Sequence, residues 1–178
     1  MRLWVERNPS AIDNAAVLHF APEPALTQLF RGRSSRYQSA DLNPEVADTV
    51  LNIEEIALPD ESVDVIVCSH VLEHVNDAKA LREFHRILKP GGRALLMFPI
   101  VEGWDTTYEN EAHTSKADRF RYFGQDDHVR YFGKDVRDRI LSAGLKLTEF
   151  TATEPDVSRY GLVRGEKVFV ALKPEQDS

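Results

Sequence analysis

The run SHVLEH places an acid between two histidines: His70, Glu73 and His74 stand at positions i, i+3 and i+4. If a helix begins at His70, these side chains share one face, and this spacing can ligate a divalent metal ion. Two imidazoles do not suit the hard ion Mg²⁺, and the simpler interpretation is that Glu73 and His74 form hydrogen bonds within the fold. We therefore expect no metal ion here and take His70 as a candidate catalytic base.

A second polar group, Gln125, Asp127, His128 and Arg130, lies within FGQDDHVRYFG. An amide, an acid, an imidazole and a fixed cation so close together could orient a polar or anionic acceptor molecule. His128 is a second candidate base, because imidazole titrates near neutral pH. The alternative is a structural turn, in which Asp127 and Arg130 form a salt bridge and His128 packs beneath Tyr131.

Alternating strands and helices must position these groups. Apolar runs predict strands over 15–20, 35–40, 49–53, 63–68, 93–99, 145–153 and 167–173. Helical spacing of apolar residues predicts helices over 27–30, between Asp77 and Pro90, and over 134–143. This alternation implies right-handed crossovers and a parallel sheet. The long polar segment over 101–133 interrupts the pattern, and loops of this length inside a domain usually have a function.

Composition argues against several classes of protein. At 178 residues the chain suits one domain, and its formal net charge of −7 disfavours binding to nucleic-acid phosphates. The single cysteine, Cys68, excludes an intramolecular disulfide and a cysteine-based zinc site. No apolar run reaches the roughly 20 residues that span a bilayer, and MRLWVERNPS lacks the apolar core of a signal peptide. We therefore expect a cytoplasmic protein with no membrane and no nucleic-acid partner.

Asp41 stands where a nucleotide-binding acid would stand in a parallel sheet. Ligands of such sheets bind outside the carboxyl ends of the strands, where the strand order reverses. An acid that ends the second strand about 20 residues after the first turn typically holds ribose hydroxyls, and Asp41 follows Phe20 at about that spacing. An ordinary surface or capping aspartate before Pro44 is the alternative.

The stretch LNIEEIALPDESVDVIVCSHVLEHVNDAKALREFHRILKPGGRALLMFP resembles the class I S-adenosylmethionine-dependent methyltransferases of the Methyltransf_11-like type. The resemblance in order and spacing covers 17–99. It implies an α/β fold, a Rossmann-like three-layer sandwich around a central seven-stranded, mostly parallel sheet. It also implies one domain over 1–178, with an insert at about 101–133 that covers the substrate, and S-adenosylmethionine as the cofactor.

The resemblance assigns cofactor contacts to residues at the strand ends. Asp41 would bind both ribose hydroxyls, and Leu42 would pack on the adenine ring. Asn52 would accept a hydrogen bond from the adenine amine, and Ile53 would present its backbone N–H to the ring. Ser69, with His70 after it, would face the methionine part of the cofactor.

The first loop departs from the family, because VLHFAPEPA lies over its usual VLDLGCGTG. His19 replaces the strand-end acid, and the three glycines are replaced by Ala21, Glu23 and Ala25. Glycine permits a positive φ, which neither Pro22 nor Pro24 can adopt, so we expect a different loop path. Phe20 and Ala21 would then approach the amino-acid end of the cofactor, and Glu23 would bind its α-ammonium group. Alternatively, Glu23 is solvent-exposed at a helix start, where a carboxylate is favoured.

The resemblance implies an S-adenosylmethionine-dependent methyltransferase acting on a small or medium-sized polar acceptor, at oxygen, with His70 or His128 as the base. The alternative is a catalytically silent binding or scaffold protein with a methyltransferase fold, which the missing glycines favour. Only about fourteen residues precede the first strand, whereas the family usually carries a longer cofactor-covering cap there. A second subunit could close the site, so a homodimer is a further expectation.

Overall fold

The computed structural model describes residues 1–175. Its strands are β1 (Ala16–Phe20), β2 (Arg36–Asp41), β3 (Thr49–Val50), β4 (Val63–Ser69), β5 (Leu88–Met97), β6 (Tyr108–Glu109), β7 (Arg130–Tyr131), β8 (Lys146–Thr151) and β9 (Lys167–Leu172). Its helices are α1 (Arg2–Arg7), α2 (Pro24–Arg31), α3 (Asp77–Ile87), α4 (Lys116–Phe123), α5 (Val136–Ser142) and α6 (Asp156–Tyr160). Within residues 1–175, none of the helices is long and apolar enough to cross a membrane.

Seven of these strands form one sheet, in the order β3-β2-β1-β4-β5-β9-β8. Neighbouring strands from β3 to β5 run parallel, whereas β9 lies antiparallel between β5 and β8. The short strands β6 and β7 pair with each other outside this sheet. The predicted fold, an α/β Rossmann-like three-layer sandwich with a seven-stranded, mostly parallel sheet, is confirmed.

Both faces of the sheet are covered, because neighbouring residues of its central strands point in opposite directions. Leu18 of β1 and Ile66 of β4 belong to a core that also contains apolar residues of α3 and α5. Val17 and Val65, one position earlier, belong to a second core that contains residues of α1 and α2. The helices therefore form a layer on each side. Because neither face of β4 meets water there, the strand is apolar from Val65 to Cys68.

The strand order reverses between β1 and β4. The chain runs from β1 to β2 and β3 on one side, and then crosses to β4 and β5 on the other. Phe20 and Cys68 are paired near the carboxyl ends of β1 and β4. The loops that follow these two strands diverge, which leaves a crevice at this edge. Asp41 ends β2 at the same edge, as its spacing predicts.

Several boundaries differ from the sequence-based expectation. β5 begins at Leu88 rather than Arg93, with its PGG turn lying at an irregularity in the pairing with β4. β3 is shorter than predicted, and α6 lies in the segment predicted as a hairpin or loop before the last strand. The sequence does not predict α1, which packs Trp4 and Val5 into the second core. Short elements of this kind depend on tertiary contacts that local patterns do not reveal.

The insert at about 101–133 is more regular than the polar loop that the sequence predicts. β6 and β7 form a two-stranded ribbon, and α4 lies between them in the chain. The Ser115 side chain caps the start of α4, and Gly124 ends it with a φ of 80°. The N–H of Val101 donates to the carbonyl of Phe132 at 2.8 Å, so the two ends of the insert meet. The insert is thereby held against the strand-end edge of the sheet.

The packing of α3 on the sheet generates a stability prediction. Phe84 is 0% exposed and its ring lies 6.0 Å from that of Phe20. Phe84→Ala should lower the free energy of unfolding by about 3–5 kcal/mol, since it leaves a cavity in the larger core. Leu141→Ala, at a position 50% exposed, should change it by less than about 0.5 kcal/mol. Urea unfolding followed by circular dichroism measures both, and equal losses would contradict this account of the core.

Candidate functional site

A cleft of about 510 Å³ opens at the strand-end edge of the sheet. Its walls contain eight of the site residues predicted from the sequence: Phe20, Ala21, Asp41, Leu42, Asn52, Ile53, His70 and Asp127. They come from the last residues of β1 and β2, from the loops after β1, β2, β3 and β4, and from the insert. Because these segments are distant in sequence, parallel pairing of the strands is what brings them together.

The loop after β1 begins with a residue in the left-handed region. Ala21 has a φ of 47°, and its N–H donates to the carbonyl of Ala40 at 3.0 Å. Pro24 is the first residue of α2, a position that tolerates proline because its missing N–H would have no helical partner. The helix therefore starts three residues earlier than the sequence predicts. The loop needs one positive φ, and alanine supplies it at some conformational cost.

His19 and Glu23 form a pair beneath this loop. His19 is 0% exposed, and its Nε2 lies 3.0 Å from Oε2 of Glu23. Its Nδ1 lies 2.9 Å from the hydroxyl of Tyr37, which in turn contacts Thr27 at 3.1 Å. An ionised carboxylate only accepts hydrogen bonds, so we assign the proton on Nε2 as the donor to Glu23. The buried imidazole thus orients the acid that replaces the second glycine.

Glu23 stays ionised in this environment. Partial burial alone would raise its pKa, but hydrogen bonds from His19 and Ser69 outweigh it, and the pKa of Glu23 lies below its ordinary value. Its side chain is still 41% exposed. Glu23 stands at the start of α2, as the alternative has it, but its side chain does not cap the helix and is paired with His19 instead. A charged, positioned and accessible carboxylate can bind a cation.

The segment after β4 turns sharply at His70. His70 has a φ of 54°, and its N–H donates to the carbonyl of Met97 at 2.8 Å. A helix therefore does not begin at His70; a single 3-10 turn covers Leu72–His74 instead. Nδ1 of His70 lies 3.4 Å from Oε1 of Glu73, and this carboxylate raises the pKa of the His70 imidazole. His70 is exposed in the cleft wall, whereas Ser69 beside it is buried.

The insert residues do not all reach the cleft. Asp127 lines it and lies 3.4 Å from Nδ1 of His74, whereas Gln125 is exposed and is not among the lining residues. His128 is 3% exposed and its ring packs against that of His74, with centroids 4.6 Å apart. Burial lowers the pKa of His128, and the neighbouring His74 lowers it further. The catalytic role of His128 and the substrate role of Gln125 stay predictions.

The side chain of Arg130 is paired with other protein groups and does not point into the open cleft. Its guanidinium is paired with Asp77 at 3.1 Å and with Glu109 at 2.9 Å. It also donates to the carbonyls of Leu72 and Val75, at 3.0 and 2.6 Å. The predicted alternative, a salt bridge between Arg130 and Asp127, is therefore not the arrangement adopted. These contacts brace the turn after β4, and substrate binding by Arg130 stays a prediction.

Arg119 is a cleft residue that the sequence does not predict. This residue of α4 lines the cleft, and its buried Nε has no hydrogen-bond partner in the part of the chain that the structure describes. No motif marks it, because its place depends on how α4 packs over the strand ends. A cation with spare donors in the cleft wall can bind an anionic or carbonyl group of a ligand.

Part of the chain is similar in sequence to a known protein family. Residues 15–96 match the profile of a family described as a methyltransferase domain (Methyltransf_11). The resemblance to class I S-adenosylmethionine-dependent methyltransferases is confirmed. A ubiquinone/menaquinone biosynthesis C-methyltransferase, UbiE, of Vibrio campbellii is 31% identical over 113 residues, covering 56% of this chain and 44% of the relative. The chain thus spans less than half the length of that relative.

Solved methyltransferase structures share the fold over nearly the whole chain. An S-adenosylmethionine dependent methyltransferase from Mesorhizobium loti matches with a TM-score of 0.63 and 14% identity, covering 93% of this chain and 96% of the other. The 1,6-didemethyltoxoflavin-N1-methyltransferase of Burkholderia thailandensis matches with a TM-score of 0.65 and 17% identity, covering 94% and 75%. That structure contains 1,6-didemethyltoxoflavin and S-adenosylhomocysteine. These matches confirm the predicted class I methyltransferase fold. The predicted cofactor, S-adenosylmethionine, is supported by the match of residues 15–96 to the methyltransferase family.

The cleft has groups that fit S-adenosylmethionine. One carboxylate oxygen of Asp41 accepts the N–H of Asn43 at 2.8 Å, which orients the acid and leaves lone pairs for hydroxyl groups. The side-chain oxygen of Asn52 accepts the N–H of Glu54 at 3.0 Å and keeps one lone pair. The apolar wall offers a surface for an aromatic ring, although Leu42 is 69% exposed. Each residue's role in cofactor binding stays a prediction.

The backbone at Ala21 generates a second prediction. Glycine suits a φ of 47°, so Ala21→Gly should leave the free energy of unfolding unchanged or raise it by up to about 1 kcal/mol. Ala21→Val should lower it by at least about 1 kcal/mol, because branched side chains resist this conformation. Ala25→Gly, in the regular first turn of α2, is the matched control and should lower it by about 0.5 kcal/mol. Thermal and urea unfolding would measure the free energies of unfolding of the three variants. Equal losses from the two glycine variants would argue against a left-handed Ala21.

Proposed function

We propose that the chain binds S-adenosylmethionine in the cleft and transfers its methyl group to a small or medium-sized polar acceptor. One observation carries this proposal: a single cleft is lined both by Asp41 and Asn52, from the ends of β2 and β3, and by His70, Asp127 and Arg119. The first pair suits a nucleoside, and the second set suits a polar acceptor. A binding or scaffold protein would have no need to place the two sets in one cleft.

The amino-acid end of the cofactor would lie at the first loop. Glu23 offers an ionised carboxylate to the α-ammonium group, and His19 holds that carboxylate in place. The family's glycines allow backbone to approach the cofactor, whereas here a side chain would make the contact. The substituted loop therefore keeps a binding function by a different chemical route.

The acceptor would lie against the insert. Arg119 has a buried Nε without a partner among residues 1–175, so an acceptor with a carboxylate, phosphate or carbonyl group would satisfy it. Asp127, also in the cleft wall, can accept a hydrogen bond from a hydroxyl of the acceptor. We therefore infer a polar acceptor that carries an anionic or carbonyl group near its reacting atom.

The position of His70 supports transfer to oxygen. When bound, S-adenosylmethionine supplies an electrophilic methyl group on its sulfonium and leaves as S-adenosylhomocysteine. A hydroxyl acceptor must lose a proton as its oxygen bonds to that methyl carbon, and His70 is the exposed imidazole in the cleft wall that can accept it. Alignment of the acceptor by Arg119 and Asp127 would supply most of the remaining rate enhancement. The UbiE relative is named a C-methyltransferase, so this choice of oxygen is tested separately below.

Cofactor binding can be tested without knowing the acceptor. Calorimetric titration with S-adenosylmethionine and S-adenosylhomocysteine should show binding to the full chain. Asp41→Ala and Glu23→Gln should each weaken it about 10- to 100-fold, since a hydrogen bond to a charged group contributes about 1.5–3 kcal/mol. Asp138→Ala removes an acid from the exposed face of α5 and should bind like the unaltered chain.

The outcomes separate the alternatives. If the unaltered chain binds neither compound at millimolar concentration, the scaffold interpretation replaces the enzyme. If Asp41→Ala binds as tightly as the unaltered chain, the placement of the ribose at Asp41 is wrong. The homodimer and the assignment of 1–178 to one domain stay predictions, and light scattering during the same titration would measure the oligomeric state.

The acceptor side yields its own prediction. Polar metabolites can be screened for release of S-adenosylhomocysteine, and the active ones compared as hydroxyl and carbon acceptors. With a hydroxyl acceptor, His70→Asn should lower kcat by about 10²–10⁴-fold and leave cofactor affinity unchanged. Arg119→Met should chiefly raise KM for the acceptor. A His70→Asn variant with unaltered kcat would remove His70 as the base, and turnover of carbon acceptors alone would exclude transfer to oxygen.

A further inference from the structure

Glu73, His74 and His128 form a cluster of donor atoms that the proposed methyl transfer does not use. One donor atom of each residue lies within 4.8 Å of the other two. Glu73 and His74 come from the 3-10 turn after β4, and His128 comes from the insert. Tertiary structure thus brings together two motifs that lie more than fifty residues apart in the sequence.

Two residues of this cluster are buried with poorly satisfied donor atoms, since Oε1 of Glu73 has only a long contact, 3.4 Å, with Nδ1 of the exposed His70. Glu73 is 1% exposed and His128 is 3% exposed. Both carboxylate oxygens of Glu73 and Nδ1 of His128 nevertheless have no hydrogen-bond partner within residues 1–175. A buried carboxylate that accepts no well-formed hydrogen bond is disfavoured, and such groups in proteins are normally closely paired or coordinate a metal ion. A cation between Glu73 and the two imidazoles would satisfy the unpartnered atoms.

The surrounding backbone holds the cluster in place. The N–H of Val129 donates to the carbonyl of Glu73 at 3.0 Å, so the residue after His128 is tied to the turn. Arg130 donates to the carbonyls of Leu72 and Val75, on either side of Glu73 and His74. These bonds fix both segments independently of the donor side chains. Such a framework lowers the conformational cost of ligand binding.

We propose that Glu73, His74 and His128 bind a divalent first-row transition-metal ion. One carboxylate and two imidazoles suit zinc, manganese, iron or cobalt better than magnesium or calcium, which prefer oxygen ligands. Bonds of about 2.1 Å allow two ligands of one ion to be at most about 4.2 Å apart, so small side-chain rotations suffice. Asp127, 3.4 Å from His74 and 63% exposed, lies beside the ion and can orient that imidazole.

This site differs from a metal arrangement on one helix face formed by His70, Glu73 and His74. The spacing i, i+3, i+4 would have used His70, but the positive φ of His70 breaks the helix that this spacing needs. His128, more than fifty residues later, takes the third place. Glu73 and His128 are buried and His74 is half-buried, so the set is not exposed on a helix face. The ion would join the insert to the turn after β4 and so close one wall of the cleft.

The test uses the full chain after treatment with EDTA and without S-adenosylmethionine. Titration with Co²⁺, followed by visible absorption, should show one bound ion per chain. Titration with Zn²⁺ should raise the Tm by several degrees. This is about the rise expected when a ligand at 100 times its Kd binds the folded form of a chain of this size. Glu73→Gln keeps the side-chain shape and should bind either ion at least about 100-fold more weakly. His128→Asn should do the same.

Two controls make the result decisive. His113→Ala removes an insert histidine that stacks on Tyr122 and should bind both ions like the unaltered chain. Glu73→Gln should be at least as stable as the unaltered chain in EDTA, because it removes a buried charge that the exposed His70 imidazole, 3.4 Å away, compensates only weakly. If the unaltered chain binds no stoichiometric ion at about 100 μM, or if Glu73→Gln binds as tightly, the site does not exist. Since no cofactor is present, that failure would leave the methyltransferase proposal untouched.

Discussion

Parallel pairing of β1 with β4 determines where the polar residues of this protein meet. The two strands lie side by side with both faces buried, and their last paired residues are Phe20 and Cys68. The loops after them must diverge, because the chain goes to β2 on one side and to β5 on the other. The cleft is the space between those loops. A change that displaced β4 along β1 would separate the two sides of the cleft even if every side chain in it were kept.

The first loop shows how a binding edge can be maintained after its usual residues have been replaced. Its left-handed residue is alanine, and its acid stands on the loop rather than at the strand end. The buried imidazole of His19 connects strand and loop, since it contacts Tyr37 on β2 and Glu23 before α2. A buried polar side chain of this kind needs both partners. The replacements at His19 and Glu23 are therefore physically coupled.

The insert is attached to the sheet by buried charge. Arg130 and Arg139 surround Asp77, at the start of α3, and both also reach Glu109 of β6. Asp77 and Arg130 are the buried members, so removing either one would leave the other as a buried charge with fewer partners, which is costly. This network explains why the conspicuous Arg130 points inward, and it holds His128 beside Glu73. Arg119 lies outside the network and lines the cleft, and its buried Nε has no hydrogen-bond partner within residues 1–175.

Much of the fold and part of the site follow from the sequence. Local periodicity predicted the sheet and its central strand, because the apolar run of β4 and the helical spacing of α3 lie within short segments. The spacing of Asp41 from the first strand predicted the edge of the sheet at which a ligand would bind. The short elements α1, α6 and β3 were missed or misjudged, because their stability comes from contacts with distant parts of the chain. The cap at Ser115 and the stop at Gly124 were readable signals for α4.

By itself, the sequence determined the fold class, the methyltransferase resemblance and the identity of the groups that can do chemistry. Only the tertiary structure decided which of those groups share a space. It placed Glu23 against His19, turned the chain at His70 and directed Arg130 into a buried network. The physical reason is that side-chain direction depends on single φ values and on packing between distant segments, and neither leaves a periodic trace in the sequence.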